Sequence, residues 1–190
     1  MDIFAFKQLH MDFSLIQVLS FLILKEYNVT RIIENSFKSN KVNSIQFPDD
    51  SKLEVIEKNA FLYSSLEEIV IPSSVIQIES AAFSECYQLK KIEFAQNSKL
   101  RTIERSTFYR TSIENIIIPS HVTKICEFAF DQCKELKKIE FEENSQLKVI
   151  ENYAFADSSL ESISLPSSLE KLGEECFNLN WLLNCMFSFR

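Results

Sequence analysis

Six segments of the chain share one spacing of apolar residues, apolar-x-x-apolar-x-apolar: Val42-Ile45-Phe47, Leu66-Ile69-Ile71, Leu89-Ile92-Phe94, Ile113-Ile116-Ile118, Leu136-Ile139-Phe141 and Leu160-Ile163-Leu165. The last four residues of each hexad alternate out-in-out-in, the period of a strand with one buried face. Ile and Phe, which dominate the inward positions, favour a pleated surface. One such strand cannot bury its apolar side alone, so neighbouring units must stack and share a core. Successive units run the same way, which predicts a parallel sheet.

A second pattern lies between the hexads. Phe37, Phe61, Phe83, Phe108, Phe130, Phe155 and Phe177 follow one another at intervals of 24, 22, 25, 22, 25 and 22 residues. Apolar residues stand eight and five positions before each of them, as in Leu53/Ile56 and Val75/Ile78. From Phe61 onward short and long units alternate and sum to a 47-residue double unit. The Pro-Ser pairs Pro72-Ser73, Pro119-Ser120 and Pro166-Ser167 keep the same period. They end the hexads of the short units, where proline stops strand pairing and turns the chain inward. The long units instead pass through polar segments such as Ala95-Gln96-Asn97-Ser98-Lys99. On the return path a short helical or 3₁₀ turn is expected around each Phe, as at Asn59-Ala60-Phe61 and Tyr153-Ala154-Phe155.

The runs Leu66-Glu-Glu-Ile-Val-Ile-Pro-Ser-Ser-Val-Ile-Gln-Ile-Glu-Ser-Ala-Ala-Phe-Ser-Glu-Cys and Leu160-Glu-Ser-Ile-Ser-Leu-Pro-Ser-Ser-Leu-Glu-Lys-Leu-Gly-Glu-Glu-Cys-Phe resemble the BspA-like leucine-rich repeat. The resemblance covers about residues 29–180. It implies an α/β repeat solenoid with a parallel β-sheet on the concave face and short helical or 3₁₀ turns on the return path. It also implies a surface antigen or adhesin that binds a host or cell-surface protein, and it brings no catalytic residues with it. The family often has Gly after the second anchor residue. Here only Gly173 fits, and Glu57, Glu79, Glu104, Cys126 and Glu151 stand in its place. The backbone at that position therefore need not be left-handed.

The ends depart from the pattern. Residues 1–28 read as a degenerate first repeat or hydrophobic cap, with Val18-Phe21-Ile23 as its hexad; residues 29–181 form the array; residues 182–190 carry a further hexad, Leu182-Cys185-Phe187. That last segment has no polar closing unit, so it predicts self-association through this end or a longer array. The apolar run from Phe13 to Leu24 is too short for a spanning helix. It lacks the basic flank and small-residue cleavage site of a signal peptide, and no other stretch could cross a membrane. The cell surface, favoured by the resemblance, and the cytoplasm both stay open as locations.

Composition narrows the chemistry. With one Gly among 190 residues, the turns are made by Ser, Asn, Asp and Pro, or are of a kind that does not need positive φ. The same scarcity excludes glycine-rich phosphate-binding loops and the nucleophile elbow of hydrolases. The formal charge of −7 argues against nucleic acid and anionic lipid as partners. Five Cys cannot complete an internal disulfide set, and Cys86 and Cys133, two units apart, read as buried thiols rather than a bridge. There is no CxxC or Cys/His cluster for a metal. His10 lies in the irregular N-terminal part and His121 in a Pro-Ser-His turn, so neither reads as a base. No cofactor or catalytic activity is expected.

The candidate surface is the set of outward hexad positions. The third position presents Ser44, Glu68, Lys91, Asn115, Lys138 and Ser162, and the fifth presents Gln46, Val70, Glu93, Ile117, Glu140 and Ser164. Ladders of this kind on the concave face are the usual binding surface of solenoids. The proposed contact set is Glu68, Val70, Lys91, Glu93, Asn115, Ile117, Lys138, Glu140, Ser162 and Ser164, centred on Val70, Glu93, Ile117 and Glu140. The second hexad position alternates in charge through Glu67, Lys90, Glu114, Lys137 and Glu161. That alternation predicts cross-strand ion pairs and a self-complementary, solvated face. Two functions follow: a surface-displayed binding protein, or an intracellular leucine-rich repeat scaffold for protein–protein interaction.

Overall fold

The computed structural model of the protein describes residues 21–23 and 29–178. Strands β1 (Phe21–Ile23), β3 (Ser44–Gln46), β5 (Glu68–Ile71), β7 (Lys91–Phe94), β9 (Asn115–Ile118), β11 (Lys138–Phe141) and β13 (Ser162–Ile163) form one parallel sheet in that order. Each hexad supplies one of these strands, and β1 adds a seventh. Two-residue strands on the return path form a second line: β2 (Arg31–Ile32), β4 (Val55–Ile56) and β6 (Gln77–Ile78) in one sheet. The line resumes as β8 (Thr102–Ile103), β10 (Lys124–Ile125), β12 (Val149–Ile150) and β14 (Lys171–Leu172) in another. The anchor residues five before each Phe lie on these short strands.

β1 pairs with β3 in a register that sets Leu22 opposite Ile45. The Val18-Phe21-Ile23 hexad would have set Phe21 there, so the pairing is shifted by one residue. The Leu182-Cys185-Phe187 segment lies outside the described residues.

The core runs the length of the array between the two lines of strands. Phe61, Phe83, Phe108, Phe130 and Phe155 are almost completely buried. Their rings form a column together with Phe37 and Phe177, with successive centroids 5.0–5.6 Å apart and nearly parallel planes. Stacking the same ring in every coil places each beside its copy, in the range of favourable offset-stacked pairs. Ile69, Ile92, Ile116, Ile139 and Ile163 line the other side of the same core.

The expected helical or 3₁₀ return path is not what forms. Among the described residues there is no helix. Around Phe83 the bonds Ala82 N–H to Glu79 O, Ser84 N–H to Ala81 O and Cys86 N–H to Phe83 O make three successive four-residue turns. The third residue of the first and last turn has positive φ, 58° at Ala81 and 55° at Glu85. The pattern recurs around the other ring positions, at Asn35/Ser39, Asn59/Tyr63, Ser106/Arg110, Phe128/Gln132 and Tyr153/Asp157. So the turns do use left-handed backbone, without glycine and at residues as bulky as Tyr63 and Phe128.

The compensation is hydrogen bonding between coils. The N–H groups of Ala81, Phe83 and Glu85 donate to the carbonyls of Arg105, Thr107 and Tyr109, at 2.9, 3.0 and 2.7 Å. Equivalent triplets join each pair of successive coils from Phe37 to Phe177. A helix would have spent those N–H groups within its own coil. Here they form a third ladder beside the two lines of strands, and it continues across the break between β6 and β8, where the Ala81, Phe83 and Glu85 bonds join the two coils.

The position after the second anchor has its own use. Glu57 Oε2 accepts the Glu34 N–H at 3.0 Å, Glu79 Oε2 the Lys58 N–H at 3.0 Å, and Glu151 Oε2 the Glu127 N–H at 3.2 Å. Each carboxylate satisfies an N–H at the start of the preceding coil's turn. No residue at this position has positive φ, Gly173 included, as the sequence departure implied. Gly173 answers a different need: Asn152 Oδ1 accepts the Glu174 N–H there, and a Cβ on Gly173 would lie 2.5 Å from the Asn152 nitrogen.

These carboxylates tie stability to pH. The hydrogen bond from Arg31 holds the Glu57 carboxyl below its ordinary pKa of 4.5 against the opposing effect of burial. For Glu151 burial is the largest single influence and acts upward, but Lys124 and the Glu127 N–H together outweigh it and leave the pKa lowered. A carboxyl with a depressed folded-state pKa adds stability above its unfolded value and loses it as pH falls through the folded value. The urea midpoint should therefore drop as pH falls below about 4.5. The double variant Glu57→Gln/Glu151→Gln should show a smaller drop; an identical acid profile would refute the role given to these side chains.

Candidate functional surface

The seven-stranded sheet presents its outer face to solvent. Period-two alternation places Glu68, Val70, Lys91, Glu93, Asn115, Ile117, Lys138, Glu140, Ser162 and Ser164 all exposed on it. Val70 is 50% exposed and Ile117 54%, each set among charged and polar side chains. The register sets Val70 beside Glu93 and Ile117 beside Glu140, so an apolar-acid pair repeats along the face.

The expected ion pairs along the second hexad position do not form. Among the described residues that row shows one side-chain bond, Asn43 Nδ2 to Glu67 Oε1 at 3.1 Å. The face is neutralised along the strands instead: Lys91 Nζ lies 2.8 Å from Glu93 Oε1 and Lys138 Nζ 2.7 Å from Glu140 Oε1. Residues two apart on a strand share a face; at the second position the backbones are bonded in register, Lys90 N–H to Glu67 O at 2.9 Å and Lys137 N–H to Glu114 O at 2.9 Å, but the charged ends do not pair. The hydrogen bond to Glu93 raises the pKa of Lys91 above its ordinary value.

The face is not uniform. At the passage from a short coil to a long one the strands pair over four residues, β5 with β7 and β9 with β11. At the passage from long to short they pair over two residues or one: β3 with β5, β7 with β9, β11 with β13. Proline explains the difference. In the first kind of passage Ala95 N–H donates to Ile71 O and Glu142 N–H to Ile118 O. In the second kind the equivalent donors would be Pro72, Pro119 and Pro166, which have no N–H. The ladder stops early and the strand ends part.

A recess opens at each of these places. The one between β7 and β9 has a volume of about 560 Å³ and is lined by Lys90, Lys91, Ile92, Glu93, Phe94, Glu114, Asn115, Ile116, Ile117, Glu140 and Glu142. A smaller one, about 130 Å³, lies at β3–β5 beside Val70. A third, about 650 Å³, lies at β11–β13 and takes in Lys138, Glu140, Ser162 and Ser164. Every member of the sequence-derived contact set lines one of the three. Lys90, Phe94, Glu114, Glu142 and Glu143 line them too but were absent from that set. The signal that could have found them was the proline closing each short hexad.

The thiols take no part in this face. Cys86, Cys126, Cys133 and Cys176 are free and buried, and burial pushes Cys86 and Cys133 up to about 12. Both donate to ring-position carbonyls one coil back, Cys86 to Phe61 O at 2.9 Å and Cys133 to Phe108 O at 3.0 Å. No helix among the described residues is long and apolar enough to cross a membrane.

The architecture is thus a parallel leucine-rich repeat solenoid with a turn-built return path. The chain matches the BspA type leucine rich repeat region in six copies over residues 12–115 and 101–188, and it belongs to that family. Among solved structures it is similar to the pneumococcal vaccine antigen PcpA, with 30% identity over 80% of this chain and 34% of that one, at a TM-score of 0.61. It is also similar to a leucine-rich repeat protein of Eubacterium ventriosum, with 22% identity over 84% and 42% of the chains and a TM-score of 0.75. A leucine-rich repeat protein of Bacteroides ovatus shares 22% identity over 83% and 46%, at a TM-score of 0.65. The chain spans less than half the length of each of these proteins. No curated protein matches it.

Proposed function

We propose that the chain is a non-enzymatic binding scaffold whose seven-stranded face contacts a protein partner, in the manner of a surface antigen or adhesin. The observation that carries this reading is the pair of exposed aliphatic side chains, Val70 and Ile117, set beside solvent-open recesses on an otherwise polar sheet. Apolar contact area flanked by charge is the usual make-up of a recognition surface. Membership of the family and the likeness to a pneumococcal antigen support display at the cell surface. The free thiols support a second reading, an intracellular interaction scaffold. Labelling the surface of intact cells separates the two: a protein reached only after lysis would end the adhesin reading.

The face itself is tested with a photo-reactive residue at Asn115. Its crosslinked adduct should be lost, by about tenfold or more, when Val70→Lys and Ile117→Lys are combined, with the thermal transition unchanged because both side chains are exposed. Undiminished crosslinking in that folded variant would show that the partner sits elsewhere.

A further inference from the structure

The recesses repeat with the 47-residue double unit, so successive ones lie two strands apart along the face. Strands in a sheet are ~4.8 Å apart, which sets the recesses on the order of 10 Å from one another. Val70 and Ile117 stand beside successive recesses at the same spacing. Such a periodic surface fits a periodic ligand. An extended β-strand repeats its side-chain direction every ~6.8 Å, too short. A polyproline II helix has three residues per turn and rises ~3.1 Å per residue, so positions i and i+3 lie ~9.3 Å apart on one edge.

Charge selects the side chain. The rim of the β7–β9 recess holds four carboxylates, Glu93, Glu114, Glu140 and Glu142, against two ammonium groups, Lys90 and Lys91. Lys91 is already tied to Glu93, and Glu114 holds no ion pair among the described residues. The β11–β13 recess holds Glu140, Glu142 and Glu143 with one lysine, Lys138, which is tied to Glu140; Glu142 accepts the Ser120 N–H at 2.8 Å and Glu143 holds no ion pair among the described residues. Apolar side chains contribute to both linings, Phe94 and Ile117 in the first case and Phe141 and Leu165 in the second, where serines and Asn144 also take part. An aliphatic stem with a cationic head matches that profile, and a guanidinium fork can take two carboxylate oxygens at once.

Building on the proposal that this face binds protein, we propose that its ligand is a polyproline II segment with arginine or lysine at every third position. One basic side chain enters each recess between a long and a short coil, and the intervening prolines pack on Val70 and Ile117. The segment runs along the solenoid axis, across the strands.

The test uses the full chain and a fluorescent peptide of Pro-Pro-Arg triplets. Three comparisons are made by anisotropy: the triplet peptide, a peptide of identical composition with its arginines adjacent, and the triplet peptide with citrulline for arginine. The triplet peptide should bind at least about tenfold tighter than either of the others. Glu114→Gln combined with Glu140→Gln should weaken it by a similar factor and flatten its salt dependence, while the thermal transition stays in place. Equal binding of the adjacent-arginine peptide would overturn the periodic fit, and equal binding of the citrulline peptide would overturn the charge assignment. If no peptide binds while the crosslink at Asn115 still responds to Val70→Lys/Ile117→Lys, this inference falls and the wider reading of the face stands. If neither responds, both fall.

Discussion

Phe108→Ala should destabilise the protein by roughly 3–5 kcal/mol, the range for removing a large aromatic from a packed core. Phe108 is fully buried and sits inside the ring column, 5.6 Å from Phe83 and 5.2 Å from Phe130. Truncation removes its apolar burial, opens a cavity and breaks two stacked contacts worth about 0.5–1.5 kcal/mol each beyond area. The position adds a second consequence. In a linear array each coil is coupled only to its neighbours, so a gap at Phe108 weakens the interfaces to the coils on both sides. Urea unfolding of the variant should show a lower midpoint and a reduced m-value as the two halves uncouple. Tyr87→Ala is the control: that ring is 50% exposed on the turn face, so its loss should change stability by no more than about 0.5 kcal/mol. A loss under about 1 kcal/mol for Phe108→Ala, with m unchanged, would mean that the ring column is not what binds the coils together.

The hexads made the sheet legible because burial is what an apolar pattern reports. Ile69, Ile92, Ile116, Ile139 and Ile163 each fall on the core side of a strand, and their neighbours fall outside, as alternation requires. The backbone of the return path left no such trace. A buried Phe with small neighbours suits a helical turn and a chain of tight turns equally, since both bury one side chain and fit a coil of the same length. What separates them is where the N–H groups point, and no side chain records that. The Glu at positions 57, 79 and 151 was visible as a departure from the family, but its use as a cap for the coil before became clear only from its bond to a backbone N–H 21 to 24 residues earlier.

The candidate face was legible in part for the same reason. Exposure of Val70 and Ile117 followed from alternation, but the partners of the charges did not. Lys90 and Glu114 are cross-strand neighbours, with the Glu114 N–H on Lys90 O at 3.3 Å, yet their charged ends form no ion pair, while Lys91 and Glu93 meet along one strand. The recesses depend on a missing donor at Pro72, Pro119 and Pro166. Read as turn-makers, these prolines explained the shorter coil. Their second effect, cutting the ladder on one side of each short coil, needed the register of both neighbours.

Ala81→Pro puts the turn ladder to the harshest test, with an expected cost of about 3 kcal/mol or more. Ala81 has a φ of 58°, and its N–H donates to Arg105 O at 2.9 Å. Proline fixes φ near −65° and has no N–H, so the substitution both reverses the backbone and deletes a bond between coils. Had the residues before Phe83 begun a helix, proline in that first turn would have been tolerated, because the N–H there is unsatisfied in any case. The substitution therefore discriminates between the two return paths rather than merely damaging one. Ala81→Gly supplies the opposite sign and guards against a proline variant that fails to fold. In a helix interior glycine would cost roughly 0.5–1 kcal/mol relative to alanine. At a left-handed position it relieves the Cβ clash, so the net change should be neutral to stabilising by up to about 1 kcal/mol. Urea midpoints for the two variants against the parent decide the matter. Proline accepted at little cost, or glycine destabilising, would rule out a return path built on left-handed turns bonded coil to coil.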